Sequence, residues 1–505
     1  MRKTMLWLTA ALMLSPAWGV CKDREVKGYI TRIHPGQNAF EIWRNQVEVP
    51  EDVEFEVKDN ERGLRISLED LRLGMHVKVK GKFDDNKYRL TARKITVDAD
   101  QFENNIQRTA VLYQDLLNLE PAGSGWNGWL RLDGQAIRIT PQTVVSFQLN
   151  RVEKKLAKEA EKKEDDDFED EDSEDFEFQP LSSLEDVRAG DICEYTGRRN
   201  EDGTVTATRL VFRKNDREKN EEKLFKKLAL SEKPSDEGKH GRLQVGGYKF
   251  KTYPDQAVTI YVRYVGQRLV PDYQNELPAG DPRKIDFRFY VVDGDKYPNA
   301  FAFPNGVIGI NTAMLLMLEN EAQLAFVLGH EIAHALNEHT YRQLMFHRKK
   351  RMAMKIGGIA AAVLGQRQVA NTLVLTQAAI TNGYQRFLED QSDRYGLRFA
   401  ADRGYDLHQS VQVWINMMRN FGDSGSNFFW SSHSSHSERI SYLLVEIGNN
   451  YPREAAGIDT EQELGSDRYQ THTAALRQDP RLKKLRKRME KYREKYEKEE
   501  GQLRY

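Results

Sequence analysis

The chain has 505 residues, with 76 Lys and Arg against 77 Asp and Glu. At about 150 residues per domain this length predicts roughly three domains. The near balance of charge excludes a global field that would draw the protein to nucleic acid or to an acidic membrane surface.

The first residues, MRKTMLWLTAALMLSPAWGV, join Arg2 and Lys3 to an apolar run from Met5 to Leu14, with small residues at Ala17 and Gly19. This is the pattern of a cleavable export signal over residues 1–19, and the run is too short to span a bilayer comfortably. The expectation is a mature protein outside the cytoplasm, in the periplasm or cell envelope. Cys21 and Cys193 remain after cleavage, and an oxidising compartment permits them to pair without requiring it. A lipid on Cys21 fits poorly, because Val20 stands where a small residue is expected.

An internal repeat follows. LEDLRLGMHVKVKGKFDDNKYRLTARKITV from Leu68 matches LEDVRAGDICEYTGRRNEDGTVTATRLVF from Leu184. Each copy alternates apolar and polar residues on either side of a turn signal, so each predicts a hairpin closing a small all-β barrel or sandwich. The first unit is placed at residues 24–98 and the second at 107–213. The repeat sets Cys193 opposite Val77, on an apolar face, which favours a buried free thiol over a disulfide. Residues 152–179 interrupt the second unit with a block, EDDDFEDEDSEDFE at its centre, that repels itself and has little to bury; a disordered acidic insertion is expected. Residues 214–245 read as a charged linker.

Beyond it the pattern changes. KIDFRFYVVD and AFAFPNGVIGIN predict strands, and long helical periodicities begin at Asn320. Residues 246–455 form the expected main domain, and 456–505 a charged helical tail. In that tail Leu482, Leu485, Met489, Tyr492 and Tyr496 make one apolar stripe, which packs on the body or on a partner helix. The apolar stretch Met352–Leu364, with the second, mixed segment that follows it to about Ile380, predicts a buried helical hairpin, with peripheral membrane contact as its alternative.

The helix that opens at Asn320, with Gln323 three residues on as in a capping box, runs EAQLAFVLGHEIAHALNEH. His330 and His334 are four apart, so both imidazoles leave one face and can take two positions of a tetrahedral zinc site. Glu331 lies beside them, placed to take a proton from a water at the metal. Composition alone predicts a chance HExxH at about the 0.02 level; the helical context raises this match above that. A catalytic zinc needs a third protein ligand, and RFLEDQSDRYG supplies Glu389 with Asp393 one turn on, the second suited to orienting a ligand histidine.

These segments resemble the M48 zinc peptidases over roughly residues 253–446. The resemblance is carried by NAFAFPNGVIGIN at Asn299, NEAQLAFVLGHEIAHALNEH at Asn320, YQRFLEDQSD at Tyr384 and SHSSHSERI at Ser432. It implies one zinc per chain on His330, His334 and Glu389, with Glu331 as general base and Asp393 as the acidic partner. Asn299–Asn311 is expected as a strand, either an edge beside the metal of the kind that in zincins binds extended substrate main chain to main chain, or an ordinary core strand. The chain departs from the family at Gln391 and Ser392, where Glu and Ala are common, and at Ser434, where proline usually follows the histidine. His433, with His436 as its rival, is either a switch or fourth ligand or part of a surface Ser/His loop, and Arg439 is a candidate for transition-state or structural support, with an ordinary ion pair as its alternative.

The expected protein is thus multidomain: a mostly helical α+β zincin-like metallopeptidase preceded by two small all-β repeats. Its expected partners are protein or peptide substrates, plausibly misassembled envelope proteins in quality control, and not nucleic acid. CAAX-type processing is disfavoured by the lack of long apolar spans. The alternatives are a latent or inactive metallopeptidase-fold chaperone or adaptor acting through the β units, and a binding protein in which the peptidase is auxiliary.

Overall fold

The computed structural model describes residues 22–84, 88–112, 117–149, 178–215, 228–233, 239–294, 297–343, 386–421, 436–455 and 463–503. The export pattern, Cys21, most of the acidic insertion, the apolar stretch from Met352 and the loop carrying His433 lie outside them. The chain divides into two compact units, residues 1–99 with 497–505, and residues 100–496.

The first unit is all β. Its strands are β1 (Lys22–His34), β2 (Ala39–Ile42), β3 (Asn45–Glu48), β4 (Glu54–Lys58), β5 (His76–Asp84) and β6 (Arg89–Asp98). They are ordered β3-β2-β1-β5-β6-β4, and β3 also pairs with β6, which closes five of them into a barrel. Alternation places Ile30, Phe40, Val47, Val79, Leu90 and Ile95 inside, all fully buried.

The second unit begins with the repeat's other copy. Strands β7 (Asn105–Val111), β8 (Leu117–Ala122), β9 (Gly125–Leu132), β10 (Gln135–Ile139), β11 (Val144–Gln148), β12 (Phe178–Pro180), β13 (Ile192–Arg199) and β14 (Val205–Arg213) form one sheet. The two hairpins, β5–β6 and β13–β14, agree in detail. Each follows a single turn of 3-10 helix, Leu68–Asp70 or Leu184–Asp186, and each slips register at a glycine, Gly81 or Gly197. A side chain there would strike the facing backbone, 2.1 Å from the Thr91 carbonyl oxygen or 2.4 Å from that of Thr206, so the bulge requires glycine in both copies. Cys193 is a buried free thiol on the inner face, as the repeat alignment anticipates. Phe178–Pro180, the end of the stretch expected as insertion, pairs with β11.

A third sheet carries the helical body, in the order β15-β16-β17-β18-β20-β19. Its strands are β15 (Leu230–Lys233), β16 (Gly241–Val245), β17 (Tyr248–Thr252), β18 (Arg288–Val292), β19 (Ala300–Ala302) and β20 (Val307–Asn311). β15 and β16 come from the stretch expected as linker: Leu243 and Val245, with Leu228 just ahead of β15, alternate into the core beside Phe303 and Val307. The surrounding charges had masked that period. β19 is an edge strand, and it packs on the helix that bears the two histidines.

The helices are α1 (Gln256–Leu269), α2 (Thr312–Met317), α3 (Glu321–Leu336), α4 (Arg386–Asp402), α5 (His408–Phe421), α6 (His436–Asn450), α7 (Ser466–Gln478) and α8 (Lys483–Leu503), omitting single-turn segments. The fold class expected from sequence, β repeats followed by a mostly helical α+β domain, is the one observed. α7 is tied to the body at the start of α3, where buried Glu321 accepts from Tyr261, Tyr405 and Arg468. In the tail Leu482, Leu485, Met489 and Tyr496 are buried, whereas Tyr492 is exposed; Arg488 lies over the Tyr297 and Phe421 rings. All of the stripe but Tyr492 is therefore covered within the chain. Among the described residues no helix is long and apolar enough to cross a membrane.

Candidate metal centre

α3 starts where Asn320 caps it, its side chain accepting from the Gln323 amide at 2.9 Å while the Gln323 side chain accepts from the Glu319 amide. The helix is apolar on all sides and every residue from Glu321 to Leu336 is buried, so α3 lies at the centre of the body rather than on its surface. It meets α4 at two glycines. A side chain at Gly329 would come within 3.2 Å of the Gly396 Cα, and one at Gly396 within 3.1 Å of the Phe326 ring. This contact lets the helix axes approach closely, and Gly329 is next to His330 while Gly396 is three residues from Asp393.

The result is a buried cluster of His330, His334 and Glu389. The two Nε2 atoms are 3.0 Å apart, and Glu389 oxygens lie 3.4 Å from Nε2 of His330 and 3.6 Å from Nε2 of His334. Metal–donor bonds of about 2.0–2.2 Å at a tetrahedral zinc put donors roughly 3.3 Å apart, so this donor set fits the ion in both spacing and chemistry.

Asp393 lies behind His330, its Oδ1 2.9 Å from Nδ1. A carboxylate only accepts, so Nδ1 carries the hydrogen and the Nε2 lone pair faces the cluster. Arg439, on α6, spans both carboxylates: Nε donates to Asp393 at 2.9 Å, Nη1 to Glu389 at 3.1 Å, and Nη2 to Asp393 again. Its guanidinium sits 3.9 Å from the centre of the Trp414 ring. Arg439 thus buttresses the cluster from behind.

Burial pushes the Glu331 carboxyl up to about 7, with the Glu389 charge adding to the effect and His330 opposing it. Burial alone would lower His330, but Asp393 and Glu389 outweigh it and hold the ring at about 9; a metal competes with that proton for the same lone pair.

Sequence reasoning passed over two residues that the fold brings to the centre. His339, fully buried, lies past the end of α3, where Glu338 takes φ 53° and turns the chain back, so that His339 Nδ1 is 2.8 Å from Nδ1 of His334. Burial and the neighbouring Arg342 lower its proton affinity and keep the ring neutral. Gln391 joins His339 to the second β unit. The usable signal was a third histidine, five positions after His334, in HEIAHALNEH. His433 lies outside the described residues, and only the backbone of His436 is described, at the start of α6.

Residues 261–447 match the family model described as Peptidase family M48, and residues 27–96 match one described as a domain of unknown function, DUF5666. The chain is 28% identical over 159 residues to the beta-barrel assembly-enhancing protease of Escherichia coli K12, covering 30% of this chain and 31% of that protein. It is 31% identical over 197 residues to the mitochondrial metalloendopeptidase OMA1 of Bos taurus, covering 36% of each. With the mitochondrial metalloendopeptidase OMA1 of Saccharomyces cerevisiae it shares 26% identity over 220 residues, 39% of this chain and 61% of that one. The matches to the bovine and bacterial relatives span about a third of their length.

Proposed function

Since residues 261–447 match the model of peptidase family M48, we propose that this protein is a zinc-dependent endopeptidase acting on exported or envelope proteins. The observation that carries the reading is the convergence of His330, His334 and Glu389 at tetrahedral donor spacing inside the body. These three residues would hold one zinc per chain, and zinc bound there supplies polarisation of the scissile carbonyl and acidification of water.

The chain's own residues do the rest. Glu331, whose carboxyl is tuned near neutrality by burial, takes a proton from the attacking water and delivers it to the leaving amine nitrogen. Asp393 keeps the hydrogen of His330 on Nδ1. Arg439 offsets the charge of the two buried carboxylates and holds them in place. β19, the edge of its sheet and packed on α3, is where an extended substrate would add to the sheet main chain to main chain. The substrate class is supported by the export pattern of residues 1–19 and by the name of the bacterial relative.

The test is digestion of an unfolded protein such as casein by the purified chain, beside Glu331→Gln, with zinc measured on both. Cutting by the wild type alone, with about one zinc on each, is the expected result. Zinc on both and cutting by neither would favour a latent or chaperone role; zinc on neither would remove the site.

A further inference from the structure

Behind His334 runs a chain of hydrogen bonds whose direction is fixed at its far end. The Gln391 amide lies between an obligate donor and an obligate acceptor. Arg342 Nη1, which can only donate, is 3.0 Å from Oε1. The carbonyl of Thr109 on β7, which can only accept, is 2.7 Å from Nε2, and Asn337 Oδ1 is 2.9 Å from the same nitrogen. The two neighbours leave no doubt which end of the amide is oxygen. Because Oε1 accepts, His339 Nε2, 3.0 Å away, carries the hydrogen of its ring.

Wholly buried, and with the Arg342 cation on the same amide oxygen, the His339 ring is neutral and has one N–H, so its Nδ1 presents a lone pair. Ser392 Oγ reaches it at 3.2 Å and His334 Nδ1 at 2.8 Å. His334 therefore donates from Nδ1, and its Nε2 lone pair is left facing His330 and Glu389. The Asp393–His330 pair sets the other histidine by a carboxylate; here an amide and a second histidine do the same work.

We propose that Gln391 is a positioning residue that sets the tautomer of the metal ligand His334 through His339, and that its anchor on the β7 main chain makes the second β unit an outer wall of the metal centre. The inference rests on the zinc-site reading above. It assigns a role to one of the chain's departures from the family, and it makes the second β unit part of the site, beyond any part in recognition.

The experiment measures zinc affinity of the full chain by competition with a chromophoric chelator, with folding followed by circular dichroism. Gln391→Met weakens zinc binding about 10- to 100-fold, the usual cost of removing an outer partner of a ligand histidine. Gln391→Glu, which keeps an acceptor for His339 Nε2–H, restores most of that loss. In a His339→Asn background, where the new amide oxygen can accept from His334 directly, Gln391→Met changes affinity by no more than about twofold. Wild-type affinity in Gln391→Met, or an equal loss in both backgrounds, overturns the coupling. Should Gln391→Met not fold, His339→Asn against His339→Leu decides it: affinity kept in the first and lost in the second is expected, and equal affinity in both overturns the proposal. A wild-type chain that takes up no zinc overturns the metal-centre reading itself.

Discussion

The two copies of the repeat share a hairpin, a bulge glycine and a strand laid against the hairpin, yet their surroundings differ. By register, Val26 and Lys27 on β1 correspond to Arg108 and Thr109 on β7. In the first copy the charges of this region stay at the surface, where Glu25 is shared among Lys27, Lys78 and Lys80. In the second they are buried against helices: Arg108 pairs with Glu446 on α6. Arg394 on α4 pairs with Asp133 at 2.5 Å and donates to Tyr442 at 2.7 Å, while the Tyr395 hydroxyl donates to the Val111 carbonyl at 3.1 Å. The repeat supplies a shared scaffold, and in the second copy Arg108 and Asp133 tie it into the packing of α4 and α6, the helices that carry Glu389, Asp393 and Arg439.

The largest effect expected from this contrast is on stability. Arg108→Ala strands the Glu446 carboxylate in the interior and should cost about 3–5 kcal/mol, read as a fall in melting temperature. An unchanged melt would mean that the second copy is as loosely held as a surface module. Next comes Asp393→Asn, expected to weaken zinc binding about 10- to 100-fold in the same chelator competition, since it removes the charge that Arg439 and His330 share; an unaltered affinity would reduce Asp393 to a packing role.

A smaller effect depends on pH. Burial works against the charged form of Glu446, but Arg108 and Arg394 outweigh it and hold the group below its ordinary 4.5. A lowered folded-state pKa means that the stability it contributes is fully present above about 4.5 and is lost as pH falls through the folded value. The gap in stability between wild type and Glu446→Gln should therefore narrow in melts taken below pH 4.5, and a constant gap would show that charge is not what Glu446 contributes. Smallest of all, Lys78→Ala in the first copy should leave the melt unchanged, because exposed pairs are screened and contribute little. A marked drop would erase the contrast between the copies.

What the sequence made legible follows from local spacing. His330 and His334 at four residues, Glu389 and Asp393 at four, the Asn320 cap and the repeated hairpins each declare themselves within a few residues, because helix and strand periods place such side chains on one face. The pairing of the two helices was legible only as chemistry, a zinc lacking a third ligand. What brings them together, Gly329 against Gly396, depends on residues that carry no chemical signal. His339 lies off the helical face of the other two histidines and returns only because Glu338 adopts a left-handed conformation. Arg439 was legible as support but not in its reach, which takes in two carboxylates on another helix. Gln391 read as a departure from a family pattern, and its partner is a main-chain carbonyl, which any residue at 109 would offer.

That partner is 282 residues earlier in the chain. The three donors lie within 60 residues of one another, from His330 to Glu389, whereas the hydrogen-bond chain behind His334 closes only when β7 has docked on α4. Closing so long a loop is slow relative to forming local helices. A chain caught midway through folding, with the helices formed and the β unit still adrift, would hold the donors without the hydrogen bonds that aim His334, so on the zinc reading full affinity for the metal arrives only with completion of the fold.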